Sequence, residues 1–184
     1  MGNKIAVLTG SSRLDGNSST LAEIFSMEAA RAGLPTVRFD STLMKVERCV
    51  VCNSCFSKGK PCVVEDDFNP FCENLAECNG LLIATPVYWY SFPGKLKMVI
   101  DKFYAYCHGT EFPIRRSALI ACCEDDPMET FDGMLFAYRK TIELLNCTSV
   151  GEVLIPGAKA DGNIMETDAP KQVRQLVKKF LSCP

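Results

Sequence analysis

Short unbroken apolar runs alternate along this chain with longer stretches in which apolar residues return every three or four positions. The first run, Lys4 to Leu8, stops at Thr9-Gly10 and gives way to small polar residues, then to a helical pattern from Ser18 to about Ala32. Gly33-Leu34-Pro35 breaks that helix, and Thr36 to Phe39 predicts a second strand. From Asp40 the periodicity disappears through a cysteine-bearing segment, about 41–67, and long irregular insertions of this kind tend to carry function. Regular patterning then resumes. It predicts a helix over Asn69–Cys78, a buried strand over Gly80–Thr85, and a helix over Pro93–Tyr106 with Pro and Gly in its first turn. A strand at Ser117–Cys123, a helix at Glu129–Leu145, a strand at Ser149–Ile155 and a closing helix at Ala169–Leu181 complete the series.

Strands that alternate with helices and read as continuous apolar runs belong to a parallel sheet covered on both faces, joined by right-handed crossovers. The expectation is an α/β, doubly wound, five-stranded parallel sheet of flavodoxin-like strand order 2-1-3-4-5, with residues 1–184 forming one domain. In that order the ligand crevice opens where the first and third strands diverge, at their carboxyl ends. Two loops are therefore the first places to look for chemistry.

The loop after the first strand runs Thr9-Gly10-Ser11-Ser12-Arg13-Leu14-Asp15-Gly16-Asn17-Ser18-Ser19 into a helix. Unpaired N–H groups and the positive end of the helix dipole favour an anion there, and Ser11, Arg13, Asn17, Ser18 and Ser19 supply further donors. The loop lacks the Gly-Lys-Ser/Thr ending of a Walker loop, the Gly spacing of a dinucleotide fingerprint and the second Gly of a nucleophile elbow. A cradle for a terminal monophosphate remains, beside the plainer reading of an N-cap cluster that binds nothing. The loop after the third strand sets Tyr88, Trp89 and Tyr90 side by side. Such a run offers a flat polarizable wall for a planar heterocycle, or a contact surface for a second subunit.

Taken together, the Gly-Ser-x-Arg-x-x-Gly-Asn-Ser loop and the Pro-Val-Tyr-Trp-x-x-x-Pro-Gly-x-Leu-Lys loop resemble those of the NADPH-dependent FMN reductases, and specifically their iron-sulfur flavoprotein branch. The resemblance covers most of the chain. It implies that Ser11, Arg13, Asn17, Ser18 and Ser19 hold the FMN phosphate, and that Pro86, Val87, Tyr88, Trp89, Tyr90 and Ser91 border the ring system. It also implies a homodimer or homotetramer. The loop after the fourth strand departs from the pattern, with Glu124-Asp125-Asp126 where these proteins often carry Gly.

Eleven cysteines is about 6% of the chain, below the roughly 8–10% of a small disulfide scaffold. Cys49, Cys52 and Cys55 stand at two-residue spacers and Cys62 follows six residues on. Closely set loop thiolates of this kind converge on a [4Fe–4S] cube, although a structural zinc or no metal at all satisfies the same spacing. Cys72, Cys78, Cys107, Cys122, Cys123, Cys147 and Cys183 show no such pattern and read as core or surface thiols. His108 is the only histidine and follows a helix end, so it is not assigned to catalysis. No acid-base pair is needed in any case. The resemblance implies that a bound FMN carries the hydride chemistry, with NAD(P)H as donor and a quinone, flavin, metal ion or iron-sulfur centre as acceptor. Two rival functions share these features: an FMN and iron-sulfur electron carrier without enzymatic activity, and a zinc-stabilised interaction module with an empty crevice.

Composition narrows the partners further. With 47% apolar and 23% charged residues and a formal charge of −2, the chain lacks the clustered cations that nucleic acid requires. The Ile5–Leu8 apolar run is too short for a signal-peptide core or a membrane span. Met1-Gly2 is followed by Ala6 where a myristoylation motif wants Ser or Thr, and the sequons at Asn17 and Asn146 need a secretory route. A cytoplasmic protein acting on small molecules is the expectation.

Overall fold

The computed structural model describes residues 3–108, 110–159 and 163–182. Met1, Gly2 and Cys183, mentioned above, lie outside the described residues. The strands are β1 (Ile5–Thr9), β2 (Thr36–Asp40), β3 (Gly80–Pro86), β4 (Arg116–Cys122) and β5 (Thr148–Ile155). All pair in parallel, in the order β2-β1-β3-β4-β5. The helices are α1 (Asn17–Arg31), α2 (Phe68–Leu75), α3 (Gly94–Lys102), α4 (Asp132–Leu144) and α5 (Ala169–Ser182).

Side chains alternate across each strand, so one run of sequence builds two cores. Ile5 and Val7 join Leu82, Ile120 and Val153 against Leu21 and Phe25 of α1 and Val173, Leu176 and Phe180 of α5. Ala6 and Leu8 point the other way. They join Leu81, Ile83 and Leu119 against Phe71 of α2, Leu96 and Val99 of α3, and Met134 and Tyr138 of α4. Burial on both faces is why Gly80–Ala84 of β3 and Ala118–Cys122 of β4 carry no polar side chain.

Helix boundaries moved more than strands. The expected helix at 93–106 divides into α3 and a 3₁₀ turn at Phe103–Cys107, which lets Phe103 pack on Phe71 and Phe112. Likewise the expected start of α4 is a 3₁₀ turn, Met128–Phe131, entered directly after Pro127. α2 begins at Phe68 and stops at Leu75 rather than Cys78, since the chain must be extended by Gly80 to enter β3.

Residues 41–67 form no regular element, as expected, but they are not loosely attached. Asp66 forms an ion pair with Lys102 at the end of α3, and both side chains are almost fully buried. The Asp66 carboxylate also accepts the Glu47 N–H at 2.8 Å and the Phe68 N–H at 3.0 Å. One carboxylate thus clamps both ends of the segment onto the helical layer. Strand register brings Thr9 beside Ala84, and Pro86 beside Cys122, so the loops after β1, β3 and β4 leave the sheet along one edge.

Candidate active site

The loop after β1 is shaped by a close approach. Gly10 donates its N–H to the Ala84 carbonyl at 2.9 Å, and a Cβ at this position would stand 2.5 Å from Thr85 Oγ1 and 2.7 Å from Leu96 Cδ2. Only glycine lets the chain turn here without displacing β3 or α3. Beyond it, Ser11 Oγ accepts the Arg13 N–H at 3.1 Å and donates to the Arg13 carbonyl at 2.9 Å. Ser19 Oγ donates to the same carbonyl at 3.0 Å. α1 is capped by Gly16 with no side-chain cap, so these hydroxyls bond within the loop rather than cap the helix. They staple the loop, leaving the first-turn N–H groups of α1 without intrahelical partners. No acidic residue stands in that first turn to oppose an anion.

The loop after β3 is a tight reversal. Tyr88 and Ser91 exchange backbone hydrogen bonds of 2.9 and 3.0 Å, and Val87 donates to the Cys122 carbonyl at 2.9 Å. Between them Trp89 and Tyr90 have φ of 49° and 62°. Two consecutive left-handed residues form the kind of turn usually given to Asn-Gly, and each bulky residue held there costs about 1–2 kcal/mol. The strain is spent on display: Trp89 is 93% exposed and Tyr88 and Tyr90 about half exposed.

Both loops open into one crevice of about 570 Å³, lined by Ser11, Arg13, Asn17 and Ser18 from the loop after β1 and by Pro86, Val87, Tyr88, Trp89 and Tyr90 from the loop after β3. Of the residues expected from sequence, Ser19 and Ser91 stand outside this lining, Ser19 behind the phosphate-type loop and Ser91 closing the aromatic turn. The third wall is Cys122, Cys123, Glu124, Asp125, Thr130 and Ala158. It is braced by backbone bonds from Ala158 to the Cys123 carbonyl (2.8 Å) and from Gly157 to the Asp125 carbonyl (2.9 Å). Asn17 Nδ2 reaches the Ala158 carbonyl at 3.2 Å, tying this wall to α1. Burial pushes the Cys122 thiol up to about 12, so it is a neutral part of the wall rather than a nucleophile.

The profile of the NADPH-dependent FMN reductases matches residues 3–126. The chain belongs to the NADPH-dependent FMN reductase family. A Bacillus subtilis (strain 168) protein bearing the name NAD(P)H-dependent FMN-containing oxidoreductase is 25% identical, covering 96% of this chain and 97% of its own length. An iron-sulfur flavoprotein of Archaeoglobus fulgidus is 28% identical over 57% of this chain, and the match spans about half of that relative, 47%. Among solved structures, an FMN-dependent NADH-azoreductase from Bacillus anthracis in complex with FMN superposes with a TM-score of 0.74. It is 13% identical, with 98% and 99% of the two chains covered, which establishes a shared fold.

The crevice of this FMN reductase suits its family's cofactor. Its volume lies within the range of small-molecule and cofactor sites, roughly 300–1,000 Å³. Arg13 and the α1 amides are donors an anion can use, and the aromatic turn is a flat surface on which a planar ring can stack.

The cysteine segment makes a second, separate recess. Cys49, Cys52, Cys55 and Cys62 line it together with Val63, Val64, Lys102 and Tyr104, around a volume of about 20 Å³. Burial pushes the Cys55 thiol up, and the charges of Cys62, Cys49 and Cys52 add to the effect. Cys52 is pulled down, chiefly by the Ser54 backbone N–H. Val51, Asn53 and Phe56 have φ of 52°, 53° and 57°. Left-handed backbone at a β-branched residue is rare, and strain of this sort gathers at ligand sites. Among the described residues, no three His, Cys, Asp or Glu side chains are grouped closely enough for one metal ion.

Neither Thr130 nor Ala158 was identifiable from sequence. Both are ordinary residues brought to the crevice by the turns that follow β4 and β5.

Proposed function

We propose that the crevice binds FMN with its phosphate against Ser11, Arg13, Asn17 and Ser18 and its rings along Pro86, Val87, Tyr88, Trp89 and Tyr90. In this reading Ser19 and Ser91 shape the two loops rather than line the cofactor. The chain takes a hydride from NADH or NADPH and delivers two electrons to a planar acceptor of the quinone class. One observation carries the reading: a loop of anion donors and a turn of exposed rings, built on different strands, line one and the same cavity.

FMN, when bound, supplies hydride acceptance and electron delivery. The protein's residues do the rest. Arg13 and the α1 amides neutralise the phosphate, Gly10 keeps the loop close to β3, and the β4 wall closes one side against water. Tyr88, Trp89 and Tyr90 stay exposed, leaving an open face where a nicotinamide and then an acceptor can stack in turn. The same exposed rings support a homodimer or homotetramer in which a second copy partly covers the turn. No described helix is long and apolar enough to cross a membrane.

For the cysteine recess the reading is a [4Fe–4S] cluster on Cys49, Cys52, Cys55 and Cys62. Four thiols lining one recess, three of them at two-residue spacers, are the ligand set a cube takes, each thiolate binding a separate iron. The recess must widen to admit it. Protein purified without oxygen should carry iron and acid-labile sulfide, and both should fall sharply in Cys52→Ser; wild-type protein free of iron and sulfide would remove the cluster.

The reductase reading is tested anaerobically with the FMN-loaded protein. NADH or NADPH should bleach the visible flavin band, and a water-soluble quinone should restore it. If neither nucleotide bleaches the flavin, the chain is no reductase and the carrier reading replaces it.

A further inference from the structure

We propose that Gly133, in the first turn of α4 and outside the crevice lining, is a positioning residue for the aromatic turn. The inference rests on the reading of that turn as the wall for the flavin rings. A Cβ built on Gly133 would stand 2.5 Å from the Tyr90 carbonyl oxygen and 3.6 Å from Tyr90 C and Cβ. The first of these is a backbone atom, not the far end of a flexible side chain, so any residue larger than glycine forces either the turn or the helix to move.

The helix is the fixed partner. Phe131 and Met134 on either side of Gly133 are fully buried, and Tyr138 one turn on is buried with its hydroxyl 3.1 Å from Ser117 Oγ on β4. The turn is held by less. Its base is tied through Val87 to Cys122, and the Tyr88–Ser91 bonds set its shape but not where its tip rests. Left-handed Trp89 and Tyr90 persist only where the surroundings impose them. Seating on the bare face of Gly133 is a contact that fixes the tip. Glycine is also a poor helix former compared with alanine, so a glycine here works against α4 and with the turn.

The test uses the fact that Trp89 is the only tryptophan. Gly133→Ala should keep the wild-type far-UV circular dichroism, yet change the anisotropy and emission of Trp89 without flavin present. It should weaken FMN binding by about 10- to 100-fold, the usual penalty for a misplaced wall. Unchanged Trp89 anisotropy together with unchanged FMN affinity would overturn the proposal. The two readings separate cleanly: if wild-type protein binds no FMN while Trp89 still responds to Gly133→Ala, the flavin assignment fails and the seat stands. Should Gly133→Ala not fold, the Tyr90→Gly/Gly133→Ala double variant decides. Glycine at 90 keeps the carbonyl oxygen but widens the backbone conformations open to the turn, which can then carry that oxygen away from the new methyl group, so recovered folding supports the contact and continued unfolding overturns it.

Discussion

At Gly10, one missing side chain sets the geometry of the proposed phosphate loop. Its replacement by alanine would press a methyl group onto Thr85 Oγ1 and Leu96 Cδ2, and forced contacts of this kind cost about 1–3 kcal/mol. The Leu96 methyl is the flexible end of a side chain, whereas Thr85 is fully buried with its hydroxyl donated to the Pro86 carbonyl at 2.9 Å. Gly10→Ala should therefore lower the melting temperature and weaken FMN binding, and adding Thr85→Ala should recover part of both. Calorimetry of the single and double variants checks this; independent, additive losses would show that the contact is not the cause. The residues readable from sequence alone were those whose chemistry announces itself, such as Arg13, the loop hydroxyls and the three aromatics. Gly133, Thr130 and Ala158 were not readable, because they act through a bare Cα, a turn or a backbone carbonyl, and nothing in their types distinguishes them from structural residues.

Among the elements, α3 joins the two recesses: it begins two residues beyond the aromatic turn and ends at Lys102 in the cysteine lining. The Asp66–Lys102 pair is the fastening at the far end. Removing one partner of a buried ion pair strands the other charge and costs about 3–5 kcal/mol. Lys102→Met should lower the urea midpoint accordingly and speed modification of the segment's thiols by a colorimetric disulfide reagent, with Lys102→Met/Asp66→Asn, which removes the stranded charge but keeps an acceptor oxygen for the segment's N–H groups, more stable than Lys102→Met alone. Equal thiol reactivity in wild type and Lys102→Met would mean that the segment is held elsewhere. Strands proved legible to within a residue or two because burial on both faces leaves an unbroken apolar run. Helix ends proved less so, since the 3₁₀ turns at Phe103–Cys107 and Met128–Phe131 are set by tertiary packing and by Pro127 rather than by period.

For the molecule as a whole, buried neutral acids set the alkaline limit. Burial raises Cys122 from 9.0 and Tyr138 from 10.0, each to about 12. In the unfolded chain these groups ionise first, so each proton lost above about pH 9 favours unfolding until the folded groups also ionise near 12. Their contribution is complete below about pH 9 and is lost between about 9 and 12. Chemical denaturation across that range should show the decline, and Cys122→Ala should make it shallower. The five-stranded order and both crevice loops could be placed from the apolar pattern, because the sheet's register alone brings the ends of β1 and β3 together.

The most direct measurement is a fluorescence titration of apo protein, following quenching of Trp89 by FMN and by riboflavin, which has the same rings but no phosphate. Both flavins should quench Trp89, with FMN binding about 10- to 100-fold more tightly through charge-assisted bonds. Arg13→Ala should remove most of that advantage and leave riboflavin unaffected. Equal affinity for the two flavins, or binding without quenching, would contradict a cavity that grips the phosphate at one end and the rings at the other.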